Sequence, residues 1–394
     1  MILRQSLAHV RRTVRTVPLS FVLLLLVLCL SGACQSRKES YETLFTRTVC
    51  QPAYATGFRI LGAEGKASTV LEVTNPWHNA RGVKMAYFLA RGGEKAPEGF
   101  EGVVIPAGAR RVVCMSSSYV GMLDELGEVE RVAGVSGMDF IANAYVASHK
   151  DRIRDVGAEM DFEVLLGLKP DLVLLYGVDD EQASLTDKLG ELSIPYLYVG
   201  EYLEESPLGR AEWMVALAEV LDCRAKGEQV FAGIPVRYEA CRRLVSDVSE
   251  RPTVMLNMPW SDVWSLPSQS SYMARLVRDA GGDYIYTKAK PGTYDRIGME
   301  TACTLLDRAD YWLNVNNLVT LDELKAADPR FARARVVKER RVYNNNRRLT
   351  AAGGNDFWES SVVRPDRILK DLIGIFHPEV LSGSDSLFYY RRLE

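Results

Sequence analysis

The sequence RAKGEQVFAGIPVRYEACRRLVSDVSE, residues 224–250, decides how the rest of the chain is arranged. Its apolar residues recur three or four positions apart, which predicts one buried side of a single helix. At 1.5 Å per residue this helix is roughly 40 Å long, enough to join two domains. Pro235 lacks a backbone N–H, so we expect a kink there in an otherwise continuous helix. The residues on the apolar side are Val230, Phe231, Ile234, Tyr238, Cys241, Leu244, Val245 and Val248.

The N-terminus has the layout of a secretory leader. Four arginines and no acid accompany an apolar run at residues 21–30, which is too short to span a bilayer comfortably. The following LSGAC, residues 30–34, resembles the lipobox of bacterial lipoproteins, in which cleavage precedes the cysteine and its sulfur carries a diacylglycerol. We therefore expect a signal peptide at residues 1–33, a lipid anchor on Cys34 and a tether within residues 34–52. The alternative is an ordinary signal peptide followed by a chance cysteine.

The composition argues against nucleic acid binding and against a disulfide framework. Loss of the leader lowers the formal net charge from −3 to −7. A negatively charged protein repels the phosphate backbone, so the charge argues against nucleic acid binding. Five cysteines follow Cys34, an odd number without a C-x-x-C pair, so we expect free thiols. With 47% apolar residues, a chain of this length can fill two cores without disulfides.

Residues 53–108 predict a small antiparallel sheet. Short β-rich segments at residues 57–61, 69–73, 85–89 and 102–105 are separated by turns that contain glycine and proline. This β-rich extension precedes the regular part of the chain.

Strands and helices alternate on both sides of the long helix. Apolar strands and amphipathic helices follow one another over residues 109–222, and the same rhythm returns over residues 251–394. Such alternation predicts parallel sheets covered on both faces. The predicted fold class is therefore α/β, with two α/β lobes, parallel central sheets, one linking helix at residues 223–250 and a small N-terminal β-rich extension.

The turns that follow the predicted strands hold the candidate ligand-binding residues, because ligands of open α/β sheets bind beyond the carboxyl ends of the strands. Serines in such a turn also cap helices, and a single tryptophan more often fills its own lobe. Clustered loop aromatics nevertheless suit a flat, partly apolar ligand, and arginine suits carboxylates or phosphates. The candidates are Ser117, Ser118, Tyr119, Asp139, Phe140, Tyr176, Trp260, Trp264, Tyr272, Arg347 and Trp358.

Signatures of common enzymes are missing from the sequence. It contains no G-x-G-x-x-G behind a strand, no P-loop, no H-E-x-x-H and no G-x-S-x-G. His78, His149 and His377 are scattered, so we expect no metal site built from histidines and no resident cofactor. The alternative is a chelatase-like or demetallase-like enzyme that uses Asp139, Glu359 or His149.

Several stretches resemble the helical-backbone periplasmic binding proteins that deliver cobalamin, ferric siderophores or haem to ABC importers. The resemblance extends from about residue 53 to about residue 379, and two of the stretches are similar to a lipoprotein branch from Bacteroidetes. Those two are SPLGRAEW at residues 206–213 and NDFWE at residues 355–359 with RPD at 364–366. The others are RVVCMSSS at residues 111–118, RVAGV at 131–135, and DFEVL at 161–165 leading to LKPDLV at 168–173.

The resemblance implies a monomeric substrate-binding lipoprotein on the periplasmic face of the cell envelope, with an ABC permease and its ATPase as partners. Its ligand would be a metal chelate held between the lobes: a corrinoid such as cobalamin, a ferric siderophore or haem. Any iron or cobalt would belong to that ligand.

The resemblance also implies an acid on each lobe that docks onto the permease. Glu163 matches the first by its spacing to Pro170-Asp171, and Glu300 is the candidate for the second, although Ala309-Asp310 replaces the usual Pro-Asp. An acid in the first turn of a helix is also favourable on its own.

Overall fold

The computed structural model describes residues 40–177, 183–381 and 386–394. In these residues the chain forms three five-stranded sheets, one two-stranded sheet and twelve α-helices, which confirms the predicted α/β class. The predicted signal peptide and Cys34 lie outside the described residues. No helix in the described ranges is both long and apolar enough to cross a membrane.

The β-rich extension is a single sheet whose five strands lie side by side in chain order. Its elements are α1 Tyr41–Leu44, β1 Arg47–Cys50, β2 Phe58–Gly62, β3 Thr69–Thr74, β4 Lys84–Ala90 and β5 Val103–Pro106. Residues 41–50, which the sequence analysis assigns to the tether, thus form a helical turn and an edge strand. Strand β5 runs parallel to β4, whereas the prediction was antiparallel. The connection over residues 91–102 is long enough to return to the end of the sheet at which β4 begins, as a parallel pair requires.

The first α/β lobe contains a sheet in which every strand pair is parallel. The apolar runs that form its central strands are buried on both faces, as the sequence predicts. The strands are β6 Val112–Cys114, β7 Val132–Val135, β8 Arg154–Asp155, β9 Leu172–Leu175 and β10 Tyr196–Tyr198. The helices are α2 Ser117–Glu125, α3 Ala144–Ser148, α4 Phe162–Leu168, α5 Ala183–Glu191 and α6 Pro207–Val220. The order β10-β9-β6-β7-β8 reverses direction beside β6, so the serine turn after β6 lies at the topological switch point.

The second lobe repeats this plan in residues 253–394. Its central strands are β11 Thr253–Leu256, β13 Asp283–Tyr284, β15 Tyr311–Leu313, β16 Val342–Asn344 and β17 Arg391–Arg392, in the order β13-β11-β15-β16-β17. All pairs are parallel except β16–β17. Its helices are α8 Tyr272–Asp279, α9 Met299–Leu306, α10 Leu321–Ala327, α11 Arg335–Lys338 and α12 Pro365–Phe376. A separate antiparallel pair is formed by β12 Val263–Pro267 and β14 Tyr294–Gly298. The sequence analysis treats the region of Trp264 as a turn, so the strand β12 corrects that prediction.

The linking helix α7 extends over Arg224–Leu244 and continues through Pro235. It packs against α6 of the first lobe and α12 of the second. Phe231, Ile234 and Tyr238 are buried as predicted, but the helix ends six residues before the predicted Glu250, and Leu244 is 45% exposed. The Ser246 hydroxyl donates a 3.0 Å hydrogen bond to the Arg243 carbonyl. Such a side-chain bond competes with the helical pattern and favours a turn.

Helix α6 is the most enclosed of the described helices, since every residue in it except Arg210 is buried. Buried carboxylates connect it and the turn before it to the β-rich extension. Glu212 accepts hydrogen bonds of 2.7–2.8 Å from the backbone N–H groups of Ala53, Tyr54 and Ala55. Glu204 accepts from the N–H groups of Thr56 and Gly57, each at 2.8 Å. The extension is therefore part of the first lobe's hydrogen-bond network rather than a loose appendage.

The two lobes also touch away from the linking helix. The short 3₁₀ turn Ser360–Val363 packs on α2 and α6. Gly121 of α2 lies so close to it that a Cβ would be 2.3 Å from the carbonyl oxygen of Glu359. The Glu359 Oε2 atom accepts a 2.7 Å hydrogen bond from the Ala142 N–H. This contact limits how far the lobes can move independently.

Replacing Gly121 by alanine should destabilise the protein by about 1–3 kcal/mol, because its methyl group would overlap the backbone of the second lobe. The matched control is Gly167→Ala in α4, where a Cβ meets nothing within 4 Å. This variant should be neutral or about 0.5–1 kcal/mol more stable, because alanine favours helix. Urea unfolding of both variants tests the contact, and a Gly121→Ala protein as stable as wild type would contradict it.

The pKa of Glu359 is raised to about 7 by burial, against the opposing N–H groups of Ala142 and Asn143. An unfolded glutamate ionises near 4.5, so between these values the unfolded chain binds fewer protons and stability falls as pH rises. For one such group the fall approaches about 1.4 kcal/mol per pH unit. Glu359→Gln stays neutral and keeps an oxygen for the Ala142 N–H, so it should flatten the dependence of unfolding free energy on pH between about 5 and 7. Urea titrations across this range measure the slope; an unchanged slope would refute the assignment.

Candidate functional site

A cleft lies where the carboxyl ends of strands from the second lobe face the segment that follows β10 in the first lobe. The strands β11, β15 and β16 each lead directly to an asparagine that lines it, namely Asn257, Asn314 and Asn345. Asn257 and Asn314 both have a φ of 64°, a left-handed conformation that asparagine tolerates better than most residues. Amide side chains are thus presented at the edge where ligands of α/β sheets bind.

The cleft has a volume of about 690 Å³ and is walled by exposed aromatic rings. Trp260 is 81% exposed, Tyr294 56% and Trp358 55%, although side chains of this size are normally covered. Six asparagines line the cleft: Asn257, Asn314, Asn316, Asn317, Asn345 and Asn355. Flat apolar surfaces therefore alternate with groups that can both donate and accept hydrogen bonds.

Positive charge is scarce in this cleft. Among the described residues that line it, Arg210 is the one lysine or arginine. Its guanidinium carbon lies 3.8 Å from the centre of the Tyr272 ring, and its Nε and Nη2 atoms donate to the carbonyls of Glu204 and Tyr202 at 3.0 and 2.9 Å. Burial lowers the pKa of Arg210. The guanidinium is thus held in place across the lobe boundary, on the face of a second-lobe ring.

A smaller inner chamber of about 170 Å³ adjoins the cleft and shares Tyr202, Arg210, Tyr272 and Trp358 with it. The serine turn after β6 forms another wall of the chamber.

The chamber also contains a buried carboxyl group. Glu201 accepts a 2.6 Å hydrogen bond from the Ser118 hydroxyl on Oε1, while its Oε2 atom has no hydrogen-bond partner in the described residues. Burial raises the pKa of Glu201 to about 7.

The structure brings five of the predicted ligand-binding residues to these cavities. Trp260 lines the cleft, Ser117 and Ser118 line the inner chamber, and Tyr272 and Trp358 line both. Tyr272 is 7% exposed and presents its ring to Arg210 rather than to open solvent. Direct contact between these residues and a ligand stays a prediction.

Two predicted residues are core side chains with no exposed surface. The Tyr119 hydroxyl donates to the carbonyls of Leu175 and Val199. Trp264 lies in strand β12, and its Nε1 donates to the Leu256 carbonyl at 2.9 Å. Both side chains pack inside their own lobes, which is the alternative that the sequence analysis gives for such residues.

The remaining predicted residues lie at the surface and line neither cavity. Asp139 pairs with Lys150 at 2.8 Å, and the neighbouring Phe140 is 57% exposed. Tyr176 is 40% exposed, and Arg347 is exposed while its backbone N–H donates to Tyr389. The alternative enzyme site does not assemble in the cleft either, since Glu359 holds the Ala142 backbone and His149 lines a separate cavity.

Several cleft residues escaped the sequence analysis. Tyr202 and Tyr294 have no local signal, whereas Arg210 lies in the stretch at residues 206–213 that carries the resemblance. Asn314 could also have been found, because it follows a strand as Asn257 does. His78 comes from the β-rich extension, whose place beside the cleft could not be read from the sequence. Within the described part of the chain, no three His, Cys, Asp or Glu side chains are grouped to hold a metal ion, and the five cysteines are free thiols.

The two predicted docking acids have similar surroundings. Glu163 and Glu300 are both exposed and lie in the first turns of α4 and α9. The aspartates associated with them also match, despite the missing proline in the second lobe. Asp171 accepts from the backbone N–H groups that lead into β6, and Asp310 accepts from the Thr253 N–H at the start of β11. This equivalence supports the choice of Glu300, while docking itself stays a prediction.

Comparison with known proteins identifies relatives of the whole architecture. A family model described as periplasmic binding protein matches residues 112–348, more than half of the chain. An uncharacterised lipoprotein of Methanocaldococcus jannaschii is 25% identical over 313 residues, covering 76% of this chain and 72% of its own. A second lipoprotein of the same organism is 23% identical, covering 78% of this chain and 80% of its own.

Solved structures show the same fold. A periplasmic binding protein from Veillonella parvula superposes with a TM-score of 0.58 at 16% identity, covering 79% of this chain and 99% of its own. A periplasmic haem-binding protein from Pseudomonas aeruginosa gives a TM-score of 0.54 at 16% identity, covering 71% and 96%. The chain belongs to the periplasmic binding protein family, whose members bind solutes for ABC transporters and are not enzymes.

Proposed function

We propose that this protein is the substrate-binding lipoprotein of an ABC importer and that its ligand is a corrinoid. The observation that carries the proposal is the combination of six asparagines, three exposed aromatic rings and one guanidinium in a single cleft. The cleft volume of 690 Å³ lies within the usual range for cofactor-sized ligands.

The charge of the cleft separates the three classes of metal chelate. Ferric siderophores are commonly anionic, and haem carries two propionates, so both favour sites with several basic side chains. Here Arg210 is accompanied by Glu204 and Glu205 in the lining. A corrinoid presents a flat macrocycle bordered by primary amides, which match aromatic walls and asparagine side chains.

Haem is the second candidate, and His78 is the observation that favours it. His78 lines the cleft, and the imidazole of histidine is a common metal ligand. The haem-binding neighbour from Pseudomonas aeruginosa supports the same reading. The small number of basic residues favours the corrinoid.

We place the protein at the cell envelope, anchored through a lipid on Cys34, with its cleft in the periplasm. The M. jannaschii relatives carry the name lipoprotein, which supports the anchor. Glu163 on the first lobe and Glu300 on the second would meet basic residues of the permease.

Cyanocobalamin and dicyanocobinamide should bind with micromolar or tighter affinity, whereas haemin and ferric enterobactin should bind more weakly. Isothermal titration calorimetry and native mass spectrometry measure the ranking.

Trp260→Ala and Trp358→Ala should each weaken corrinoid binding at least about fivefold, since each removes an aromatic side chain that forms a wall of the cleft. Tyr176→Ala, an exposed aromatic that does not line the cleft, should leave the affinity unchanged. A panel without corrinoid binding would overturn the choice of ligand.

Charge reversal at the proposed docking acids should separate transport from binding. Glu163→Lys and Glu300→Lys should strongly reduce importer-dependent corrinoid uptake, while the affinity of the purified protein stays the same, because both acids are exposed and line neither the cleft nor the inner chamber. Asp322→Lys is the matched control, since it reverses an exposed acid in the first turn of α10. If the Glu163→Lys and Glu300→Lys proteins supported as much uptake as the Asp322→Lys control, the proposed docking role would be wrong.

A further inference from the structure

The inner chamber contains a hydrogen-bond acceptor for which the described residues supply no donor. Glu201 is 4% exposed, and its Oε2 atom has no partner in the described residues, although Oε1 accepts from the Ser118 hydroxyl at 2.6 Å. A buried polar atom without a partner costs roughly 1–3 kcal/mol, so it is normally satisfied by a ligand, an ion or water. A group that enters the chamber with an N–H would recover this energy.

Arg210 decides which kind of group fits. Its guanidinium lines the same chamber and lies near enough to Glu201 to lower the pKa of that carboxyl, against the larger effect of burial. An anion in the chamber would meet Glu201, and a cation would meet Arg210. A neutral group that both donates and accepts can satisfy both residues.

The chamber is placed to receive an arm of a ligand in the main cleft. Tyr202, Arg210, Tyr272 and Trp358 line both cavities, so the chamber adjoins the cleft at these four side chains. At 170 Å³ the chamber is too small for a macrocycle but large enough for a short polar substituent.

We infer that the inner chamber is a subsite for a primary carboxamide of the ligand, whose N–H donates to Glu201 Oε2. This inference rests on the proposed corrinoid-binding function and identifies the substituent that the first lobe recognises. The carboxamide oxygen faces the Arg210 side of the chamber.

The ionisable groups around Glu201 make this interaction dependent on pH. The neighbours are Tyr119 from α2, Tyr202 from the same turn, Arg210 from α6 and Tyr272 from α8. The pKa values of all three tyrosines are raised, so Glu201, with a pKa of about 7, is the member of the group that titrates near neutrality. An N–H donor favours the ionised carboxylate. Affinity for an amide therefore rises as pH increases through about 7, whereas affinity for an acid would fall.

The first experiment compares cyanocobalamin with its monocarboxylic acids, in which single propionamide arms are hydrolysed. One acid should bind at least about tenfold more weakly than cyanocobalamin at pH 8, and the difference should shrink towards pH 6. Glu201→Gln should lose both the discrimination and its pH dependence, since its amide N–H faces the ligand donor. Glu359→Gln, which changes the other buried glutamate of similar pKa outside the cleft, should keep both.

The second experiment does not require corrinoid binding. Crystals of the protein are soaked with propionamide or with propionate, which have the same shape and differ in charge. Propionamide should occupy the chamber with its nitrogen on Glu201 Oε2, and propionate should not.

The outcomes distinguish the subsite from the proposed function. Corrinoids that bind without discriminating amide from acid overturn the subsite and leave the function standing. If no corrinoid binds, the function fails and the soak decides: propionamide at Glu201 supports the subsite, whereas propionate in its place or an unchanged chamber overturns it.

Discussion

The burial of helix α6 is the constraint on which the rest of the structure depends. This helix is enclosed by the β-rich extension, helix α2, the linking helix and the second-lobe turn at residues 360–363. It nevertheless contains the acids Glu212 and Glu219, which cannot be buried without partners. The extension supplies these partners, since Glu212 accepts three backbone N–H groups and Glu219 binds the Thr69 hydroxyl and Arg91. The first lobe and its extension are consequently one hydrogen-bonded body.

The same helix connects the core to the cleft. Arg210 is the one residue of α6 that is not fully buried, and it reaches across the lobe boundary to the Tyr272 ring. The linking helix packs directly on α6, and the 3₁₀ turn at residues 360–363 covers another side. A large separation of the lobes would have to break these contacts together. The architecture therefore favours a cleft that is largely formed before the ligand arrives, with only small adjustments on binding.

The local part of this architecture is visible in the sequence, and the long-range part is not. Strands such as Val132–Val135 and Leu172–Leu175, and the helix Phe162–Leu168, lie within residues 109–222, where the sequence predicts alternating strands and helices. Burial of the strands on both faces gives continuous apolar runs that can be recognised locally. The end of the linking helix was misjudged because the Ser246 hydroxyl competes for a backbone carbonyl. Strand β5 joined the sheet in the unexpected direction because a connection's path depends on distant packing.

The cleft follows the same division. The sequence shows that Asn257 and Ser118 follow strands, and residues that follow parallel strands lie at one edge of the sheet. The sequence does not show whether a side chain at that edge points into the cleft or into the core. Trp260 and Trp264 are four residues apart, yet Trp260 is 81% exposed and Trp264 has no exposed surface. Pairing of β12 with β14 turns Trp264 inward, and its partner in this pairing is the distant residue Ile297. No local pattern contains that information.

Four buried glutamates in one short segment fall into two groups according to whether the described residues supply donors to both carboxylate oxygens. Glu204, Glu212 and Glu219 lie in or beside α6, and both oxygens of each accept hydrogen bonds. The extension supplies a donor to every one of these oxygens except Oε2 of Glu219, which accepts from Arg224 of the linking helix. Glu201 lies three residues before Glu204 and is equally buried, yet one of its oxygens is left without a partner in the described chain and lies beside a chamber that adjoins the cleft. For the stability of the fold alone, a neutral side chain at this position would be less costly. Glu201 is thus the glutamate of this segment to which a ligand would donate the missing hydrogen bond.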